Sequence, residues 1–156
     1  MAINETALET IFSIANVCVL PFWALLIFAP KTRWSARVFR WPWAALLLAM
    51  FYAVVVIPGV VSDPEILAQL ARPTLAGVGN LLGTPLGAAA GWIHFLSFDL
   101  FVGIWVWRRA MTEGESFLWV SPILALILML GPLGWLLYTV VAFFVSRRRF
   151  ASLAKA

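Results

Sequence analysis

His94 and Asp99 lie inside one otherwise apolar stretch, GWIHFLSFDLFVGIWVWRR, from Gly91 to Arg109. An imidazole and a carboxyl in such a setting are suited to proton chemistry, one accepting while the other donates. His94 is the only histidine of the 156 residues, and Asp99 is the only carboxylate set deep within a hydrophobic run. An ionisable group in hydrocarbon costs from about 2.5 to well over 10 kcal/mol, so it should face a partner helix, a cavity or a ligand. On an ideal helix the two are about 140° apart in projection and about 7.5 Å apart along the axis. Each is therefore expected to face a different neighbouring helix, or both to edge one cleft; a direct pair would need a π-bulge. Metal chemistry is not expected, because one histidine without helical His/Glu spacing falls short of three or four ligands. Ser97 lacks the G-x-S-x-G context of a serine nucleophile.

The elements that must position these groups are membrane helices. Hydrophobic residues make up 63% of the chain and charged residues 12%, against about 45–50% and 25% in soluble domains. The chain reads as a single polytopic membrane domain, residues 1–156. Its apolar runs fall at approximately residues 7–30, 42–61, 86–107 and 117–145, and each is long enough for a helical crossing of about 20 residues. The expected fold is all-α, a bundle of about four transmembrane helices. Pro21 is an expected kink in the first run. The last run holds Gly131-Pro132-Leu133-Gly134 at its middle and exceeds the bilayer core, so it must be kinked, tilted or prolonged beyond the membrane. Between the second and third runs, Asp63-Pro64-Glu65 predicts a short interfacial helix. Pro73, Gly77, Gly79, Gly83 and Pro85 predict an irregular stretch after it. The first run is not expected to be a cleavable signal peptide, since Glu5 and Glu9 flank its start without Lys or Arg. Cys18, alone, excludes an intrachain disulfide and a cysteine metal cluster.

A net charge of +4 could suggest nucleic acid, but the basic residues flank apolar runs and fit anchoring at a membrane surface, so no nucleic-acid partner is expected. If all four runs cross, one side carries Lys31, Arg33, Arg37, Arg40, Arg108 and Arg109, and the other Arg72, Arg147, Arg148, Arg149 and Lys155. Six against five decides no orientation under the positive-inside rule. A fifth crossing would remove the conflict. Trp34, Trp41, Trp43, Trp105, Trp107 and Trp119 cluster near the odd-numbered loops and mark one interface.

Polar side chains inside the runs are few: Ser13, Asn16, Cys18, Tyr52, His94, Ser97, Asp99, Ser121, Tyr138 and Thr139. In lipid they must satisfy one another or a ligand. His94 and Asp99 are the candidate catalytic pair. Asn16, Trp92, Phe95, Phe98, Phe101 and Tyr138 are the candidate substrate contacts, with Phe95, Phe98, Phe101 and Trp105 suited to a long apolar ligand. The competing structural reading has Asp99 bonded to Asn16 or a tyrosine, simply fixing the bundle.

GWIHFLSFDLFVG, followed by LGPLGWLLY from Leu130, resembles the ABA4-like family of small polytopic membrane proteins. The opening IFSIANVCVLPFWALLIFAPKTRW is also similar to that family's, with Asn16, Pro21, Trp23 and Pro30 in place. The resemblance covers nearly the whole chain; Ile104 stands where many relatives have a basic residue. Plant members act in neoxanthin synthesis on the route to abscisic acid. The resemblance therefore implies an isomerase that turns a carotenoid epoxide into an allene, needing a donor at the epoxide oxygen and a base at the adjacent polyene carbon. Low dielectric disfavours charged forms, so Asp99 would donate and His94 accept, with no cofactor. A plastid transit peptide before the first run is not expected, and the expected location is a bacterial cytoplasmic membrane, multi-pass. Expected partners are membrane lipid, a carotenoid-like molecule and a second copy of the chain. The rival classes are a non-catalytic ligand-binding or assembly protein and a small transporter or proton-pathway subunit. Against transport stand the lack of an internal repeat and of a polar stripe along any run.

Overall fold

The computed structural model describes residues 4–153, with side chains to Ser146. Among these residues there is no strand. The order is α1 (Glu5–Phe28), α2 (Arg33–Val38), α3 (Trp43–Ser62), α4 (Glu65–Ala71), α5 (Leu75–Leu82), α6 (Pro85–Glu113) and α7 (Phe117–Leu153). Four helices are long and apolar enough to cross a membrane: α1, α3, α6 and the Phe117–Ser146 part of α7. Val17, Phe28, Val61, Leu118 and Met129 are each at least two-thirds exposed. That surface would be costly in water and is ordinary against lipid chains. The side chains of Arg147, Arg148, Arg149 and Lys155, which entered the charge comparison, lie outside the described residues.

Contacts divide the chain into two compact units, one of Met1–Phe22 with Trp41–Phe98, the other of Trp23–Arg40 with Asp99–Ala156. In the first unit, polar bonds join helices at few points, as they must where lipid cannot supply partners. Ser97 Oγ donates to the Ala45 carbonyl at 3.1 Å, tying α6 to α3. Trp92 Nε1 donates to Asn16 Oδ1 at 2.9 Å, tying α6 to α1. Around them Ala15, Val19, Leu48, Val55 and Ile93 are buried. α1 continues through Pro21 as one helix.

The segment between α3 and α6 holds two helices where one was expected. Asp63 Oδ1 accepts from the Glu65 N–H at 3.1 Å and starts α4. Thr74 Oγ1 then accepts from the Gly77 N–H at 3.0 Å and starts α5. Gly77 and Gly79 disfavour a helix by about 1 kcal/mol each; the cap and the apolar residues between them outweigh that. Thr84 Oγ1 accepts from the Gly87 N–H at 3.0 Å, and Pro85 opens α6 at the position where a missing N–H costs nothing.

In the second unit, α2 is held by hydrogen bonds. Ser35 is fully buried and donates to the Ala29 carbonyl at 2.5 Å. Trp107 Nε1 donates to the Pro30 carbonyl at 2.8 Å. The Arg108 guanidinium donates twice to the Phe39 carbonyl, at 3.0 and 2.7 Å, a cation at a helix C-terminus.

α7 is two helices. Leu130 is non-helical, φ −143°, ψ 64°, and Pro132 has no N–H to offer the Leu128 carbonyl. Of the kink, tilt or extension expected for this run, the structure shows a kink at Gly131-Pro132-Leu133-Gly134, sharp enough to reverse direction. The rings of Trp119 and Tyr138 stack at 5.7 Å, whereas a straight helix would separate those residues by about 28 Å. At the turn the backbones touch: a Cβ on Gly134 would lie 2.8 Å from the Ile127 Cα. Residues 117–129 and 131–153 thus form a tight helical hairpin.

Candidate functional site

The amino-terminal half of α6 presents His94 among rings. Phe98, one turn on, stacks with it at 4.6 Å and 23°. Tyr52 of α3 tilts against it at 5.6 Å, and Phe95 meets it edge-on at 6.2 Å. Next to these rings a cavity of about 180 Å³ opens between α3, α4, α5 and α6, lined by Tyr52, Leu70, Leu82, Leu86, Ala90 and His94 among others. Gly87 and Gly91 set how closely α5 approaches α6. A Cβ on Gly91 would come within 3.0 Å of Leu82 Cδ2, and one on Gly87 would collide with the Leu81 carbonyl. The lining is aliphatic apart from the Tyr52 phenol and the His94 imidazole. Cavities that enclose a drug-sized ligand run to about 300–1,000 Å³. This one has room for the ring or tip of a molecule whose remainder lies in lipid.

Asp99 is placed otherwise. α6 is helical throughout Pro85–Glu113, so His94 meets Tyr52 of α3 while Asp99 meets α7. The Asp99 carboxyl lies against Gly131 at the tip of the hairpin, where an added Cβ would collide with it. Two of its expected bonding partners, Asn16 and Tyr138, are engaged elsewhere. Asn16 accepts from Trp92 and donates to the Phe12 carbonyl at 2.8 Å. The Tyr138 hydroxyl donates to Glu115 Oε2 at 3.0 Å.

Of the sequence-derived candidates, His94, Phe95 and Phe98 come together, joined by Tyr52. Asn16 and Trp92 pair with each other, with Phe12 beside Trp92 at 6.4 Å. Phe101, Asp99 and Tyr138 belong to the second unit. Tyr138 is fully buried there, between Trp119 and Trp105, the latter at 6.2 Å. Sequence reasoning missed Glu115, a buried carboxylate in a polar Gly-Glu-Ser turn that reads as exposed. The one signal for it was Tyr138, a phenol in an apolar run that needs an acceptor.

Residues 10–138 match the ABA DEFICIENT 4-like family. The chain belongs to the ABA4-like family. It is similar to the protein ABA DEFICIENT 4, chloroplastic, of Arabidopsis thaliana, at 24% identity over 145 residues, covering 89% of this chain. It spans 61% of that relative's length. No solved structure matches it. The family match contains the His94 cavity, Asp99 and the hairpin turn, and ends at Tyr138. The relative is chloroplastic by name, so the comparison lends nothing to the bacterial cytoplasmic membrane expected from the sequence. The chain is ABA4-like and has, among the described residues, four helices long and apolar enough to cross a membrane.

Proposed function

We propose that this ABA4-like protein takes the end group of a carotenoid-like isoprenoid out of the lipid phase into the cavity beside His94, and isomerises it there by cofactor-free acid–base chemistry. The observation that carries this reading is the juxtaposition of the His94 and Tyr52 rings at 5.6 Å on the wall of an otherwise aliphatic cavity. Exposed Phe95 and Phe98 continue the apolar surface from the cavity mouth, a track for the rest of a long polyene. An imidazole that can accept and a phenol that can donate are the two groups an epoxide-to-allene isomerisation needs. Tyr52 protonates the epoxide oxygen as its C–O bond opens, and His94 removes the proton from the adjacent polyene carbon. Returning that proton from His94 to Tyr52 closes the cycle, with no redox change. On this reading Asp99 is a positioning residue at the break in α7, where Pro132 leaves a backbone carbonyl without its helical donor.

The test is to purify the protein in mild detergent and analyse the bound pigments and lipids by absorbance and mass spectrometry. An isoprenoid should accompany the wild type and be lost from Leu86→Trp, which fills the cavity. His94→Gln should keep the isoprenoid and lose turnover of an added carotenoid epoxide. Equal binding by Leu86→Trp would remove the cavity from the account, and full turnover by His94→Gln would remove the chemistry.

A further inference from the structure

The reversal of α7 decides on which face this helix ends. Residues 117–129 rise only about 20 Å at 1.5 Å per residue, short of the roughly 30 Å hydrocarbon core. The second half then returns towards its starting level. Tyr138, past the turn, puts its hydroxyl on Glu115, just before α7 begins. The Lys31 ammonium lies 5.8 Å from the ring centre of Phe117, the first residue of α7. The entrance to α7 and the first basic loop therefore share one end of this unit. A helix broken at membrane depth survives only where protein covers the break. Here Gly131 and Gly134 are buried, one under the Asp99 carboxyl and the other on the Ile127 backbone, while the apolar side chains of Met129, Leu130 and Leu133 at the turn are exposed.

We infer that α7, although long and apolar enough to cross, is a re-entrant hairpin, so that the described chain crosses the membrane three times and the start of α1 and the end of α7 lie on opposite faces. Three crossings resolve the charge conflict. Lys31, Arg33, Arg37, Arg40, Arg108, Arg109, Arg147, Arg148 and Arg149 then share one face, leaving Arg72 alone on the other. Over these residues, six against four becomes nine against one. By the positive-inside rule the basic face is the one from which the chain is inserted. Its cations fit the anionic lipid headgroups of that leaflet. The cavity beside His94 is walled by α4 and α5, which lie between the second and third crossings.

Single cysteines in a Cys18→Ser background, labelled with a membrane-impermeant maleimide in vesicles of known sidedness, test this without reference to any ligand. Arg37→Cys, Thr112→Cys and Ser152→Cys should label from one side, and Thr6→Cys and Gln69→Cys from the other. Labelling of Ser152→Cys from the side of Thr6→Cys would overturn the inference. A second measurement needs no sidedness. Spin labels at Leu118→Cys and Val140→Cys would lie about 33 Å apart along a straight helix. The hairpin should bring them to under about 20 Å, as a return after about four turns requires. A distance near the straight-helix value would refute it.

Discussion

His94 and Asp99 come from one helix and one sequence motif, yet they differ in the property a ligand needs, which is free volume. His94 stands at a cavity of about 180 Å³ with a second proton-bearing ring beside it. Asp99 is packed so closely that not even a methyl group fits on the facing glycine. An ionisable residue inside a membrane marks a functional site by default, but that default covers two situations. A polar group can serve what enters from lipid, or it can serve backbone groups that a broken helix leaves without partners. The first needs access and the second needs contact. Here one motif supplies a residue with access, His94, and a residue in contact with the break, Asp99.

The largest expected effect breaks the contact. In Gly131→Ala the new methyl group must displace the Asp99 carboxyl, and overpacking of this kind costs about 1–3 kcal/mol. Thermal unfolding in detergent, followed by loss of the monodisperse peak, should show it. Asp99→Ala in the same chain makes room and should restore part of the loss, a coupling of about 0.5–3 kcal/mol. If Gly131→Ala is silent, or Asp99→Ala gives no relief, the two groups are not in contact and the comparison loses one side.

A smaller effect sharpens the distinction in function. His94→Gln should lower turnover of a carotenoid epoxide at least tenfold, equivalent to about 1.4 kcal/mol, with thermal stability near wild type. Asp99→Asn keeps the shape and hydrogen-bonding capacity of the carboxyl, so turnover should stay within about twofold, well under that 1.4 kcal/mol. Asp99→Leu should instead lower stability. A folded Asp99→Asn protein without turnover would make Asp99 part of the chemistry and His94 no longer special.

The helices were legible in the sequence for a simple physical reason: about 20 consecutive apolar residues have few other uses. The helix start at Asp63-Pro64-Glu65 was legible too, because a side-chain oxygen that caps a helix is a local device. The reversal of α7 was not. Hydropathy cannot distinguish one long helix from two halves lying side by side. Gly131-Pro132-Leu133-Gly134 announces a break without its angle; the angle comes from the Gly134 backbone lying on Ile127, a contact outside any helical period. Glu115 was hidden for the same reason, since its burial depends on Tyr138 being brought back over it. In α5, glycine punctuation pointed the wrong way because the cap at Thr74 prevailed. His94 could be singled out by type and setting, but Tyr52 as its neighbour depends on the register between α3 and α6, which no local pattern records.

The smallest effect concerns Asn16 and Trp92, which the sequence grouped with the substrate contacts and the structure pairs with each other. Asn16 Oδ1 takes the Trp92 indole N–H at 2.9 Å, and Asn16 Nδ2 gives its own hydrogen to the Phe12 carbonyl. Both ends of the amide are therefore engaged within the protein, and the bond joins α1 to α6. Hydrogen bonds of this kind between membrane helices are worth about 0.6 kcal/mol on average and at most about 1.7. Asn16→Leu removes the acceptor while keeping the branched four-atom side-chain framework, so stability should fall by an amount in that range. Isoprenoid binding should not change, because neither residue lines the cavity beside His94. Trp92→Phe should cost about the same, and the double variant little more than either alone, since each change removes the same bond. Additive losses would mean that the two residues act separately, and weakened binding in Asn16→Leu would return Asn16 to the ligand site. If stability alone moves, the polar residues of α6 sort by what each one touches: His94 a cavity, Asp99 a break in the neighbouring helix, and Ser97 and Trp92 the backbone and side chain of their own partner helices.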